Sequence, residues 1–259
     1  MAKMQKFLVY RNKGEGDIRY ERFEVPLRKG MTILDALFYI QDHFDPTFAF
    51  RYACRGAICG SCGITIDKVP DLACRSQVAE IKKKKKAENL PVFHFGDHAN
   101  WDEENEILIE PLPNMPVLKD LVVDMDNFWK FYKKIQPYFT REYKDTAPES
   151  VQSSKEMYTI EGLVYCILCG LCWACPVNAK NSHYLGPAQL AKADRFIRDS
   201  RISEERQKQI LEQVLNDDGV PACEKLFICN RVCPKNVMPG TAINDLRKNF
   251  AKKYVKRKC

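Results

Sequence analysis

Eleven of the twelve cysteines in this 259-residue chain fall into three groups with the spacing of iron ligands. Thiolates are soft donors that suit iron–sulfur clusters and zinc. Cys54, Cys59, Cys62 and Cys74 read C-x4-C-x2-C, then eleven residues, then C. Four thiolates so spaced are those of a plant-type [2Fe–2S] site, three from one tight loop and one from a later segment. Gly56, Gly60 and Gly63 are interleaved, which lets the backbone come close to a cluster and turn its N–H groups toward sulfur. A zinc ribbon needs two close C-x2-C pairs. Cys59 and Cys62 form one, but Cys54 and Cys74 do not form the second.

Cys166, Cys169, Cys172 and Cys175-Pro176 make the second group, and Cys223, Cys229 and Cys233-Pro234 the third. The bacterial ferredoxin run is C-x2-C-x2-C-x3-C-P, and its fourth cysteine ligates the other cluster of a two-cluster protein. On that template the third group fills the first, third and fourth places, and Leu226 stands at the second. The crossing rule then assigns Cys166, Cys169, Cys172 and Cys233 to a [4Fe–4S] cluster. Cys175, Cys223 and Cys229 are left as three thiolates, which suit [3Fe–4S], because Leu226 offers no donor for a fourth iron. Only Trp173 and Ala174 separate Cys172 from Cys175, one residue fewer than in the template, so the partition between the two clusters stays open at that point. Cys259 is a leftover thiol at the terminus.

The elements that must carry these groups divide the chain. Phe7–Tyr10 and Phe23–Leu27 read as strands around a turn marked by Gly14, Gly16 and Asp17. Thr32 opens a helix with Ile33, Leu34, Leu37 and Ile40 on one side. Ile64–Asp67, Val92–Phe95 and Ile107–Glu110 read as further strands. Pro111, Pro113 and Pro116 punctuate a linker. Beyond it strand patterns are expected to vanish, and Leu121, Met125, Phe128, Tyr132 and Ile135 recur at helical spacing. Ser203 caps a helix to about Asn216, with Ile210, Leu211, Val214 and Leu215 buried and Gly219 after its end. Thr241 is expected to cap another, with Ile243, Leu246, Phe250 and Tyr254 on one face. The expected fold is α+β: a β-grasp plant-type ferredoxin domain over residues 1–110, then an α-helical bacterial-ferredoxin-like domain over residues 111–259.

Composition narrows the function. Lys and Arg number 41 against 34 Asp and Glu, a net charge of +7 that is too scattered, without a recognition motif, for a nucleic-acid partner. The run Lys82–Lys86 reads as a solvated loop, with an acidic docking surface as the sharper alternative, and the basic tail from Lys252 to Lys258 has the same two readings. The start MAKMQKFLVYR has no apolar signal region, and no stretch of 18 apolar residues spans a membrane. Reduced cysteines that bind metal are therefore expected rather than disulfides. With four histidines, no nucleotide-binding glycine fingerprint and no acid–base constellation, no catalytic residue is assigned.

Taken together, RYACRGAICGSCG, the later Cys74, PLPNMPVLKDLVVD, CILCGLCWACP, YLGPAQLAKADRFIRDSR and CNRVCPKNVMPGTAI resemble the iron–sulfur subunit of succinate dehydrogenase and fumarate reductase. The resemblance covers nearly the whole chain. It implies a flavoprotein partner with covalent FAD, on which succinate and fumarate interconvert. It also implies single electrons passing through [2Fe–2S], [4Fe–4S] and [3Fe–4S] to a quinone at a membrane anchor, on the cytoplasmic side of a prokaryotic membrane. Mitochondrial-type members carry aromatic residues after the crossing Cys-Pro and a His after the first Cys of the last run. Here Val177, Asn178 and Ala179 follow Pro176, and Glu224 follows Cys223, so those quinone-site residues do not carry over. A soluble thiol-linked fumarate reductase is the alternative the departure raises, and a zinc-stabilised interaction module is the reading from another class.

Overall fold

The computed structural model describes residues 3–14, 17–83, 100–139 and 149–251. The expected strand Val92–Phe95, Lys84–Lys86, the basic tail and Cys259 lie outside them. By compactness the chain divides into one unit of residues 1–125 with 167–174, and another of residues 126–166 with 175–259. The proline-punctuated stretch thus belongs to the first unit, where Leu112, Met115, Leu121 and Val123 are buried. By this measure the division falls at 125/126 rather than 110/111.

In the first unit, strands β1 (Met4–Asn12), β2 (Ile18–Pro26), β3 (Gly63–Ile66), β4 (Val69–Leu72) and β5 (Glu106–Glu110) form a sheet of order β2-β1-β5-β3-β4. The pair β1·β5 is parallel, and β1·β2, β3·β5 and β3·β4 are antiparallel. β5 is central and buried throughout, as its apolar run Ile107, Leu108 and Ile109 demands. Helix α1 (Ile33–His43) begins where expected: the Thr32 hydroxyl accepts from Asp35 N, and Asp35 answers the Thr32 N–H. Its apolar stripe of Ile33, Leu34, Leu37 and Ile40 is buried.

A short antiparallel pair, β6 (Val117–Lys119) and β7 (Val122–Val123), follows the prolines. The expectation that strands vanish there is corrected, since five residues are too few to show a period of two. Leu121 sits in the turn between them rather than on a helix. That turn also carries Asp120, which is fully buried against Arg11 of β1, with Arg11 Nε donating to Asp120 Oδ1 at 3.0 Å. Arg11 also donates to Glu21 at 2.6 Å and Asp45 at 2.7 Å, and its guanidinium lies 5.0 Å from the Phe48 ring centroid. Asp120 accepts in addition from Asn12 N and Ala49 N. One buried cation thus ties β1, β2 and the turn to the segment that enters the cysteine loop. Lys82 is not a free solvated side chain: it donates to Asp67 Oδ2 and Glu106 O, both at 2.6 Å.

Helices α2 (Asp126–Lys134), α3 (Ser154–Val164), α4 (Pro176–Lys180), α5 (Pro187–Ile197), α6 (Glu204–Val214), α7 (Ile228–Arg231) and α8 (Pro239–Leu246) build the second unit. α5 is its hub, packed against α3, α6 and α8. Ser153 caps α3 through a capping box with Glu156, and Ser203 caps α6 by accepting from Arg206 N. Ile210 and Val214 of α6 are buried, while Leu211 and Leu215 are only partly so. Thr241 does not cap α8. Pro239 takes the first helical position, and Thr241 lies inside the helix, where its hydroxyl accepts from Asn230 Nδ2 at 3.1 Å.

Removing one partner of a buried ion pair leaves the other charge stranded, so Asp120→Ala should cost about 3–5 kcal/mol. Chemical denaturation of the full chain reads this as a lowered midpoint. A second expectation concerns Glu110, which is fully buried and accepts from Tyr20 Oη at 2.8 Å. Burial pushes its carboxyl up to about 7 from an ordinary 4.5. Between those values the folded state holds a proton that the unfolded state releases, so this group's contribution is full below pH 4.5 and is lost as pH rises through 7. Glu110→Gln removes that loss. Stability measured from about pH 5 to pH 8 should therefore shift in the variant's favour as pH rises.

Candidate iron–sulfur sites

The first cysteine group lies on the loop between Phe50 and β3, closed by the segment after β4. Cys54 N donates to Cys59 Sγ at 3.4 Å. Gly56 N, Ile58 N and Cys59 N donate to Cys54 Sγ at 3.4, 3.2 and 3.2 Å. Ala57 N reaches across to Cys74 Sγ at 3.3 Å. The loop achieves this inward turn with positive φ at Arg55, Ala57 and Gly60. The Arg55 guanidinium covers the rings of Phe38 and Tyr52 at 5.0 and 5.4 Å. Cys74 is held from behind, because Ala73 N donates to Cys62 O, and Ala73 O and Ser76 O accept the Leu34 and Ile33 N–H groups at the start of α1.

The electrostatics of this group are uneven. The N–H groups of Cys59, Gly56 and Ile58 pull the exposed Cys54 thiol down to about 6. Cys62 is buried, and burial pushes its thiol up to about 12, with the neighbouring charges of Cys74 and Cys59 adding to the effect.

Part of the second cysteine group belongs to the same unit. A Cβ on Gly60, whose φ is +76°, would lie 2.7 Å from Cys169 Cβ and 2.9 Å from Cys169 Cα. One on Gly63 would lie 3.2 Å from Cys169 O. The first loop and the Cys169 backbone are therefore in direct contact. The tight turn Leu171–Ala174 spans the short Cys172–Cys175 link, and Asn114 clamps it: Asn114 Nδ2 donates to Trp173 O at 3.0 Å and Trp173 Nε1 donates to Asn114 O at 3.2 Å.

In the second unit, Cys166 and Cys233 pack against one apolar cluster of Leu163, Ala191, Val237 and Ala242. Val237 N donates to Cys233 Sγ at 3.4 Å. Lys192 of α5 is half-buried, and the Cys166 thiolate opposes the burial that lowers its ammonium. Cys175, Cys223 and Cys229 converge elsewhere in this unit. Burial and then the charges of Cys175 and Cys223 push Cys229 up to about 12. Arg247 donates to Val220 O at 2.6 Å and to Cys223 O at 2.8 Å, fixing the Cys223 segment. Leu226 is 46% exposed and brings no donor to the group. A Cβ on Gly240 would lie 2.9 Å from Phe227 Cδ1 and 3.2 Å from Cys229 Sγ, so a larger residue there would press on both.

Sequence reasoning missed the supporting residues: Arg11, Asp120, Asn114 and Arg247. Among the described residues, no three His, Cys, Asp or Glu side chains converge as tightly as one metal ion requires. Iron–sulfur clusters place bridging sulfide and several irons between their thiolates, and so fit a wider set.

A 2Fe-2S iron-sulfur cluster binding domain family matches residues 6–130, and a 4Fe-4S dicluster domain family matches residues 162–237. Fumarate reductase iron-sulfur subunits from two strains of Escherichia coli are each 33% identical over 236 residues, covering 90% of this chain and 86% of theirs. A chain of the Sdh1 complex of Mycobacterium smegmatis has the same fold, with a TM-score of 0.80, 20% identity and 98% of both chains covered. A hypothetical protein from Helicobacter pylori is similar over 43% of its length, with a TM-score of 0.56 and 16% identity.

Gly60→Ala and Gly30→Ala separate backbone strain from close approach. Gly30 has nearly the same φ, +74°, but open space where its Cβ would go. Gly30→Ala should cost about 1–2 kcal/mol from the left-handed backbone alone. Gly60→Ala should cost a further 1–3 kcal/mol or so for overpacking against Cys169. Equal melting temperatures for the two variants would show that the contact carries no weight.

Proposed function

From a chain that belongs to the iron–sulfur subunits of the fumarate reductase and succinate dehydrogenase family, we infer a one-electron relay between a flavin and a quinone. It is an electron-transfer subunit with a 2Fe-2S and a 4Fe-4S domain, and part of a multisubunit oxidoreductase. The finer reading is our proposal. Cys54, Cys59, Cys62 and Cys74 hold [2Fe–2S]. Cys166, Cys169, Cys172 and Cys233 hold [4Fe–4S], and Cys175, Cys223 and Cys229 hold [3Fe–4S]. The partners are an FAD-containing flavoprotein, where the dicarboxylate reacts, and a membrane anchor that binds quinone. The complex sits on the cytoplasmic side of a prokaryotic membrane. Among the described residues no helix is long and apolar enough to cross a membrane, which accords with a peripheral subunit.

The observation that carries this reading is the order of three cysteine groups, with Leu226 at the missing ligand place, in a chain 33% identical to a fumarate reductase iron-sulfur subunit. The clusters supply the redox chemistry when bound, and the chain's residues set their spacing and potentials. The residues after Pro176 favour a second reading, with a soluble thiol or disulfide as electron acceptor. Val177 and Asn178 are buried, and Glu224 pairs with Lys180 at 3.6 Å, so this surface differs from an aromatic quinone cleft.

Purification of the native complex tests both readings. A flavoprotein that oxidises succinate or reduces fumarate should co-purify, with iron and acid-labile sulfide, and a [3Fe–4S] EPR signal should appear on oxidation. A membrane anchor in the preparation selects the quinone reading, and its absence selects the soluble one. Isolation with an unrelated dehydrogenase, or zinc without iron, would overturn the assignment.

A further inference from the structure

The outward side of α2 pairs aromatic rings with lysines. Phe128 and Phe131 are buried, and Gln189 of the hub helix α5 donates to Phe128 O at 2.9 Å, so α2 is fixed in orientation. Its exposed residues are Asp126, Asn127, Trp129, Lys130, Lys133 and Lys134. Trp129 and Lys133 stand one turn apart, as do Lys130 and Lys134, so the ring and the three lysines share one side of the helix. Asp126, at the first position, is the only acidic residue of α2. None of the three lysines has an ion-pair partner among the described residues. The chain beyond α2 continues the pattern. Arg206 of α6 donates to Gln136 Oε1 at 2.8 Å and to Gln136 O at 2.6 Å. Tyr138 and Phe139 follow, 51% and 44% exposed. Arg206 lies 5.0 Å from the Tyr138 ring centroid, and Arg201 and Arg195 lie 4.7 and 5.0 Å from that of Phe139.

We propose that the stretch Trp129–Phe139 is a docking surface for the anionic headgroups of a lipid bilayer. Charge complementarity and side-chain type select this occupant. Protein interfaces are depleted in lysine and enriched in arginine, and the exposed cations of α2 are all lysine. Trp and Tyr have an apolar body and a polar tip, and they concentrate at the level of lipid headgroups. A lysine stem lies along the apolar layer while its ammonium reaches phosphate. A helix with such a face lies in the plane of the interface. The contact is separate from any made with an anchor subunit, and it does not depend on which cysteines hold which cluster. It is a weak second hold on the membrane, dependent on anionic lipid and screened by salt.

The test uses the full chain with its clusters and no anchor subunit, mixed with phosphatidylcholine vesicles that contain or lack phosphatidylglycerol. Co-sedimentation should require phosphatidylglycerol and weaken as salt is added. Lys130→Gln, Lys133→Gln and Lys134→Gln together should weaken binding about 100-fold, since each lysine at an anionic surface contributes about fivefold. Lys6→Gln, Lys29→Gln and Lys155→Gln remove the same charge at exposed sites elsewhere and should leave binding nearly unchanged. Brominated lipid should quench the tryptophan fluorescence of the unaltered chain and spare that of Trp129→Phe. Trp173 is buried, and the Trp101 ring is covered by the ammonium groups of Lys68 and Lys82 at 5.4 and 5.3 Å. Equal losses in the two triple variants would assign binding to net charge alone and overturn the proposal. So would binding indifferent to phosphatidylglycerol, or quenching that survives Trp129→Phe. Absence of quenching in the unaltered chain overturns it without recourse to any variant. A triple variant of α2 that binds vesicles as before but no longer assembles with its flavoprotein would assign this face to a protein and overturn it too.

Discussion

Sulfur anions repel one another, and every part of this fold that bears on function works against that repulsion. Burial makes it worse: Cys62 and Cys229, both buried beside other cysteines, are pushed up to about 12. The outcome differs with exposure. Where the sulfur is exposed, as at Cys54, backbone N–H groups solvate it, and positive φ at Arg55 and Ala57 turns those groups inward. Where the sulfur is buried, burial outweighs the backbone N–H groups that also reach Cys62 and Cys229, and the thiol stays high. A coordinated thiol is deprotonated outright, because the ion inverts the local preference. The inner cysteines are therefore poor acids on their own, and under the ligand assignment proposed above bound iron would deprotonate them.

The scaffold also buries charges of its own. Arg11 gathers the carboxylates of Glu21, Asp45 and Asp120 around one guanidinium, and the task of this network is geometric. Through Asp120 it holds Asn12 N and Ala49 N, and so fixes the chain that leads into Cys54. Gly60 then allows the first loop to meet the Cys169 backbone with nothing between them. A relay has no substrate pocket to shape. Its demands are short distances and rigid spacing, and both are visible in which residues are small and which are clamped.

The cysteine groups and the apolar stripes were legible because their signals are local. Thiol spacing, the Thr32 capping box and the Ile210/Val214 stripe each occupy 21 consecutive residues or fewer. Arg11 was not legible. In sequence it is one more charge in a strand, and the partner that makes it a core residue lies 109 positions away. Lys82 was obscured by the four lysines after it, since a charge run reads as solvent-facing whichever member is anchored. Thr241 misled because a helix-capping residue and an interior residue look alike. The deciding feature was Pro239, which already occupies the first position of α8. The β6–β7 pair was too short for any periodicity to exist.

Burial and hydrogen bonding act in opposite directions on a cluster's potential, and the third cysteine group displays both. Cys175 and Cys229 are 6% and 4% exposed, and under the ligand assignment proposed above that burial would favour the less charged, oxidised form of an anionic cluster. A site buried to that depth without donors would hold electrons poorly. At the [2Fe–2S] loop the backbone supplies those donors, helped by glycines that let it approach. Around Cys229 the backbone contributes as well, through the N–H groups of Cys229 and Asn230 in the short helix α7, but burial outweighs them and the thiol stays high.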